Sequence, residues 1–296
     1  MSQEKIEFYK NRTIGERFSA AGDFVRQNWK VLLKNIAYVG VPLALLQGYF
    51  IQNQVGASLG NLGNPDIWGS YANTTIIGLL GNLVQAIVFL YIVSVTGAIL
   101  REYVKGSLTE ETGWPDLKDN VFSIGGKIFL QGLIFVPFII LLVAVVAVVS
   151  YFLGVGAFIV LGILVLLLIV LWVVIIPPLS LVQFPIFFED ASAWEGIKKG
   201  FRLGFRYWGS VFLTILLGGL LFGAVYYIFM APYIVYAMFN MGDGGILGYI
   251  LAMFSSLVFV AIYPVLIVFL GFQYTAIVER EEGISLQEKV DEFENL

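Results

Sequence analysis

Four carboxylates stand where chemistry would need them: Glu102, Glu189 and Glu279 close three apolar runs, and Asp190 follows the second. Brought together around an axis, such groups supply the hard oxygen ligands a divalent cation takes. Held apart near helix ends, they pair with the Lys and Arg beside them, and that plainer arrangement is the one expected here. The chain contains no histidine and no cysteine, which removes disulfides, thiolate nucleophiles, imidazole bases and almost every zinc or haem site. The expectation is a protein without catalytic residues, metal or cofactor.

A second constellation is "FFEDASAWEGIKKGFRLGFRYW", residues 187–208. At a helical spacing of four, Gly196, Gly200 and Gly204 form one stripe, Ile197, Phe201 and Phe205 the next, and Lys198, Arg202 and Arg206 a third. The glycines would let another helix approach closely. The aromatic stripe would lie in the membrane interface or against neighbouring helices. Lys198, Lys199, Arg202 and Arg206 are the candidates for contact with lipid headgroups. The plainer reading, favoured on the sequence, is a linker whose charges only set topology.

Within the apolar runs there is no Asp, Glu, Lys or Arg at membrane depth, so the groups expected of proton relays or ion pathways are missing. Polar candidates are Gln85, Thr96, Gln131, Gln183 and Gln273, for which ordinary hydrogen bonding between helices is the expected role. Gln183 and Gln273 stand out because they recur at one position of a repeat described below. Gly219 and Gly223, at G-x-x-x-G spacing, predict a helix-packing contact.

The elements that must position these residues are membrane helices. Of 296 residues 59% are hydrophobic and 13% charged, and the mean hydropathy is +0.87, too apolar for one ordinary soluble domain. Six stretches, near 31–52, 75–100, 127–153, 155–188, 208–239 and 246–278, are long enough to cross about 30 Å of hydrocarbon. Pro177 and Pro178, Pro232 and Pro264 predict kinks or tilts in the last three. All 17 Lys and Arg fall in the N-terminal segment, in two alternate connections or in the C-terminal tail. By the positive-inside rule both termini are expected in the cytoplasm, with no cleavable signal before the first span.

The expected fold is an all-α integral membrane protein in one domain, residues 1–296, with six transmembrane helices as three degenerate hairpin repeats, each preceded by a cytoplasmic amphipathic helix. The units are about 13–106, 107–190 and 191–284, and an acidic tail helix covers 285–296. "TGAILRE", "QFPIFFE" and "QYTAIVE" place Thr96, Gln183 and Gln273 six residues before a glutamate. Capping boxes of the form Ser/Thr-x-x-Glu recur at Thr13 with Glu16, Ser107 with Glu110, Ser192 with Glu195 and Ser285 with Glu288. Thr13 to Trp29 and Ser192 to Trp208 have the same spacing, which predicts a short helix ending where each span begins. In the second unit Pro115 moves the predicted start to near Thr112 or Trp114.

"FFEDASAWEGIKKGFRLGFRYWGSVF" resembles the signature of the glycerophosphoryl diester phosphodiesterase membrane-domain and YciC-like family, with Glu189, Asp190, Ser192, Gly196, Lys198 and Lys199 at the matching places. The resemblance implies a six-span membrane domain without that family's separate soluble phosphodiesterase barrel, whose histidines are absent here. The function expected is a non-catalytic inner-membrane protein of a bacterium or archaeon. Its partners would be membrane lipids, a partner protein or a second copy, and not nucleic acid. The alternative is a transporter or flippase for an uncharged or lipidic substrate.

Overall fold

The structure is a computed structural model and describes residues 5–60, 67–153, 157–240 and 245–284. The tail helix expected over 285–296, with Ser285 and Glu288, lies outside the described residues. The helices are α1 (Ile14–Gly60), α2 (Ile67–Lys105), α3 (Trp114–Leu153), α4 (Ala157–Leu181), α5 (Phe184–Glu189), α6 (Ala193–Arg206), α7 (Trp208–Phe239) and α8 (Ile246–Glu282). Six are long and apolar enough to cross a membrane, the α4–α5 stretch counting as one. The chain is an all-helical, multi-pass membrane protein.

Of the three capping boxes that fall among the described residues, two form. The Thr13 amide donates to the Glu16 carboxylate at 2.7 Å, and the Glu16 amide donates back to Thr13 Oγ1 at 3.4 Å. Ser192 and Glu195 do the same at 2.9 and 3.3 Å and open α6. Ser107 does not cap a helix with Glu110. Gly106, at a φ of 79°, turns the chain back at the end of α2, so the Ser107 hydroxyl donates to the Glu102 side chain instead. The start of α3 is capped by Asp116, whose carboxylate accepts the Gly113 amide at 2.8 Å. Pro115 sits in the first turn, where its missing N–H leaves no bond unmade.

The short helices expected before the first and second spans are not separate. α1 runs unbroken through Trp29 and Pro42, and α3 is continuous from Trp114 through Pro137. Nothing before Pro42 interrupts the hydrogen-bond ladder of α1, so interface helix and span fuse. Only α6 is set off from its span, at Tyr207. Prolines have unequal effects: α4 ends at Leu181 just past Pro177 and Pro178, whereas α7 and α8 continue through Pro232 and Pro264.

The core lies at the end of the bundle that carries the Lys and Arg residues, here the basic end. Every residue of α8 from Ile267 to Val278 is buried there, chiefly by α1, α7 and α2. The segment before α1 is part of this core. Phe8, 4% exposed, stacks on Phe272 at 4.3 Å between ring centres and meets Phe24, Tyr103 and Phe188. The Ile6 amide donates to the Tyr103 hydroxyl at 2.8 Å, fixing that segment over the bundle. α3 and α4 are peripheral. Only 6% of the apolar stretch of α3 is buried, against 61% for α2, so most of α3 faces outward.

Loss of the α6 cap by Ser192→Ala should lower stability by about 1 kcal/mol. Ser107→Ala should have no comparable effect on α3, and thermal unfolding of the two variants in one detergent checks the difference.

Candidate functional site

The helix break between α4 and α5 frees backbone carbonyls in apolar surroundings, where each must find a donor. Gln131 of α3 supplies one. Its Nε2 donates to Val182 O at 2.9 Å and to Ala193 O at 3.1 Å, tying α3 to the break and to the first turn of α6. Arg101 of α2, 6% exposed, supplies the others. Its Nε donates to Phe187 O at 3.2 Å and its Nη2 to Ile186 O, which closes the end of α5.

α6 lies across this break on its glycine face. A side-chain carbon built on Gly200 would stand 2.6 Å from Val182 Cα, and one on Gly204 only 2.2 Å from Pro178 Cα. Backbone therefore packs on backbone, which glycine alone permits here. The helix approached is α4. Gly219 and Gly223, by contrast, have nothing within 4 Å of such a carbon and line an open apolar cavity. The expected packing contact is made by their neighbour Gly218, against the ring of Phe269.

Of the cations of α6, Lys199 turns inward, whereas Lys198, Arg202 and Arg206 of the basic stripe are exposed. Lys199, with its side chain 17% exposed, donates to Glu189 at 2.9 Å and lies 2.7 Å from Glu282 of α8. Glu189 also accepts from the buried Tyr274 hydroxyl. Arg206 pairs with Glu281, and Arg202 stands 3.8 Å from Glu282. Lys198 has no carboxylate within ion-pair distance among the described residues and lies 5.4 Å from the centre of the Trp194 ring. The outer face of α6 thus presents Trp194, Lys198, Arg202 and Phe205, all exposed. Phe201 instead stacks against Phe135 of α3.

Asp190 caps α5 with a left-handed backbone, φ 54°. Its carboxylate sits 2.7 Å from Lys127 and 2.9 Å from Arg101. The Lys127 hydrogen bond, with the charges of both cations, holds its pKa below the ordinary 3.8, against a smaller opposing effect of burial. Glu102 is engaged elsewhere, accepting from Asn120 at 2.7 Å. Among the described residues the acids form no group of three able to hold a metal ion.

The intramembrane polar candidates are dispersed. Gln273 is fully buried, and its side-chain carbonyl accepts from Arg17 of α1 and, at 2.9 Å, from Thr214 of α7. Gln183 is half-buried at the helix break, where its backbone carbonyl accepts from Ile186 and Phe187 while its side chain caps nothing. Gln183 and Gln273 have different hydrogen-bond partners, while the residues that follow them, Phe184 and Tyr274, stack at 5.7 Å between ring centres. Thr96 is fully buried with its hydroxyl unpartnered, and Gln85 accepts from Gln47 between α1 and α2. Arg17, Arg101, Glu281 and Glu282 are residues of this region that sequence reading missed. Charge at a helix end was their only signal, and it does not distinguish a buried arginine from a solvated one.

Comparison with protein-family models, curated proteins and solved structures finds no match to this chain.

Gly204→Ala forces α6 off the α4 backbone and should destabilise by about 1–3 kcal/mol, while Gly209→Ala, in open space, should not; thermal unfolding separates them. Because folding lowers the Asp190 pKa, its contribution is present above the ordinary value of 3.8 and is lost as pH falls through and below it. Denaturation midpoints of wild type and Asp190→Asn should therefore differ at pH 6 and draw together near about pH 3.

Proposed function

We propose that this is a non-catalytic component of a bacterial or archaeal cytoplasmic membrane, associating with anionic lipids through the outer face of α6. One observation carries this reading: with its glycine face locked on α4, α6 holds Trp194 and Phe205, 53% and 49% exposed, beside the exposed Lys198 and Arg202. An amphipathic helix with aromatic and basic groups on one accessible face suits the boundary between acyl chains and phosphates. The confinement of Lys and Arg to one end of the bundle supports an orientation with both termini in the cytoplasm. Three hairpin units, 13–106, 107–190 and 191–284, organise the chain in this reading. The matching caps at Thr13 and Ser192 support it, as does the resemblance to the glycerophosphoryl diester phosphodiesterase membrane-domain and YciC-like family.

The outward apolar faces of α3 and α4 are the place for a protein partner or a second copy, with no role for nucleic acid. A transporter of uncharged or lipidic substrates is the second reading, and the break at Val182–Gln183 is the observation that favours it. In that case Gln131 is the latch that movement of α4 must release.

The lipid reading is tested in nanodiscs of mixed phosphatidylcholine and phosphatidylglycerol by measuring the lipid retained after mild extraction. Lys198→Gln with Arg202→Gln removes two charges, each worth about 1 kcal/mol near a lipid surface, and should reduce phosphatidylglycerol enrichment by about thirtyfold. Unchanged enrichment in the folded double variant sinks it.

A further inference from the structure

The basic end also holds a buried cation that forms no ion pair among the described residues, the charge of Glu16 acting on it without direct contact. Arg17, 9% exposed, projects from the first turns of α1 toward α7 and α8. Its Nη1 donates to the Gln273 carbonyl, an oxygen already shared with the Thr214 hydroxyl, and its buried Nε has no partner. The Gln273 amide reaches Ser210 Oγ at 3.4 Å. Glu16, the neighbouring acid, turns back onto Thr13. A second guanidinium, the exposed Arg280, is close enough to repel Arg17 and lies 5.9 Å from the ring centre of Tyr207. Among the described residues no carboxylate comes within ion-pair distance of either arginine.

A neutral amide orients a guanidinium but leaves its charge whole. Buried charges are retained where they are paired, and an unpartnered donor in a buried site calls for an explanation. The planar fork of arginine matches the oxygens of a phosphate, and two such forks beside a hydroxyl suit a phosphate monoester or diester. We propose that Arg17 and Arg280, with Ser210, form a binding site for a phosphate-type anion between α1, α7 and α8. The anion comes from a lipid headgroup or from free phosphate, which share this chemistry. None of these residues belongs to the outer face of α6, so the site stands or falls apart from the surface reading above.

The test uses the full chain in a nonionic detergent, titrated separately with short-chain phosphatidylglycerol and with inorganic phosphate, and followed by native mass spectrometry. A one-to-one adduct should form, and Arg280→Gln and Arg17→Gln should each weaken it about tenfold, as expected for loss of a charge-assisted hydrogen bond. Lys118→Gln, an exposed charge removed from α3, should leave it unchanged. Binding of phosphate itself, competing with the lipid, assigns a soluble anion; binding of the lipid alone assigns a headgroup. Should Arg17→Gln fail to fold, the exposed Arg280→Gln carries the test. No adduct with either probe, or equal binding by wild type and Arg280→Gln, overturns the site. Weakening confined to Lys198→Gln with Arg202→Gln also overturns it, while leaving the α6 reading standing.

Discussion

Carbonyl groups released where α4 and α5 stop are the constraint around which this bundle is arranged. In hydrocarbon an unbonded carbonyl has no water to turn to, so a helix can break only where donors have been brought to it. Two side chains from other helices do this. Gln131 reaches Val182 from α3, and Arg101 reaches Ile186 and Phe187 from α2. The charge of Arg101 then calls for Asp190, which also draws in Lys127. Once the chain is held in this bend, α6 can return over the break, and its closeness to α4 excludes any side chain at Gly200 or Gly204.

A second chain of contacts links α6 to the end of α8. Lys199 sits between Glu189 and Glu282, and Tyr274 donates to Glu189 from the far side. Burial gives this pairing more weight than an exposed pair would have, since water competes less for the partners. The helix that looks from outside like a charged linker is therefore fastened on two faces. What remains accessible carries aromatic rings and the cations Lys198, Arg202 and Arg206, with a geometry the bundle fixes.

Much of this could be read from the sequence because it follows from local rules. Long apolar runs form helices, Ser192 and Glu195 cap one, and the glycine stripe of α6 admits a close neighbour, although Gly219 and Gly223 with the same spacing meet nothing. The identity of the approaching helix was not local, and neither was the fate of Lys199, whose partners are 10 residues away and 83 residues away. Ser107 illustrates a competition between two local rules: the left-handed turn at Gly106 takes its hydroxyl before a cap can form. The equivalence drawn between Trp29 and Trp208 failed for a similar reason. α6 packs on α4 by its glycine face and ends at Tyr207, whereas α1 packs on α8 from its first turns and runs on unbroken into its span. Phe8 could not be placed at all, since one aromatic residue in a polar stretch carries no period.

The seat of Phe8 also says something about the order of assembly. Its stacking partner Phe272 follows it by about 260 residues, so at roughly 5–20 residues per second the ring waits between about a quarter of a minute and most of a minute for its site to exist. During that interval the segment before α1 has only part of its seat, since Phe24 and Tyr103 are made early and Phe188 and Phe272 later. Docking of the chain's early residues is thus a late event of biogenesis. It reports that the last span has reached its place.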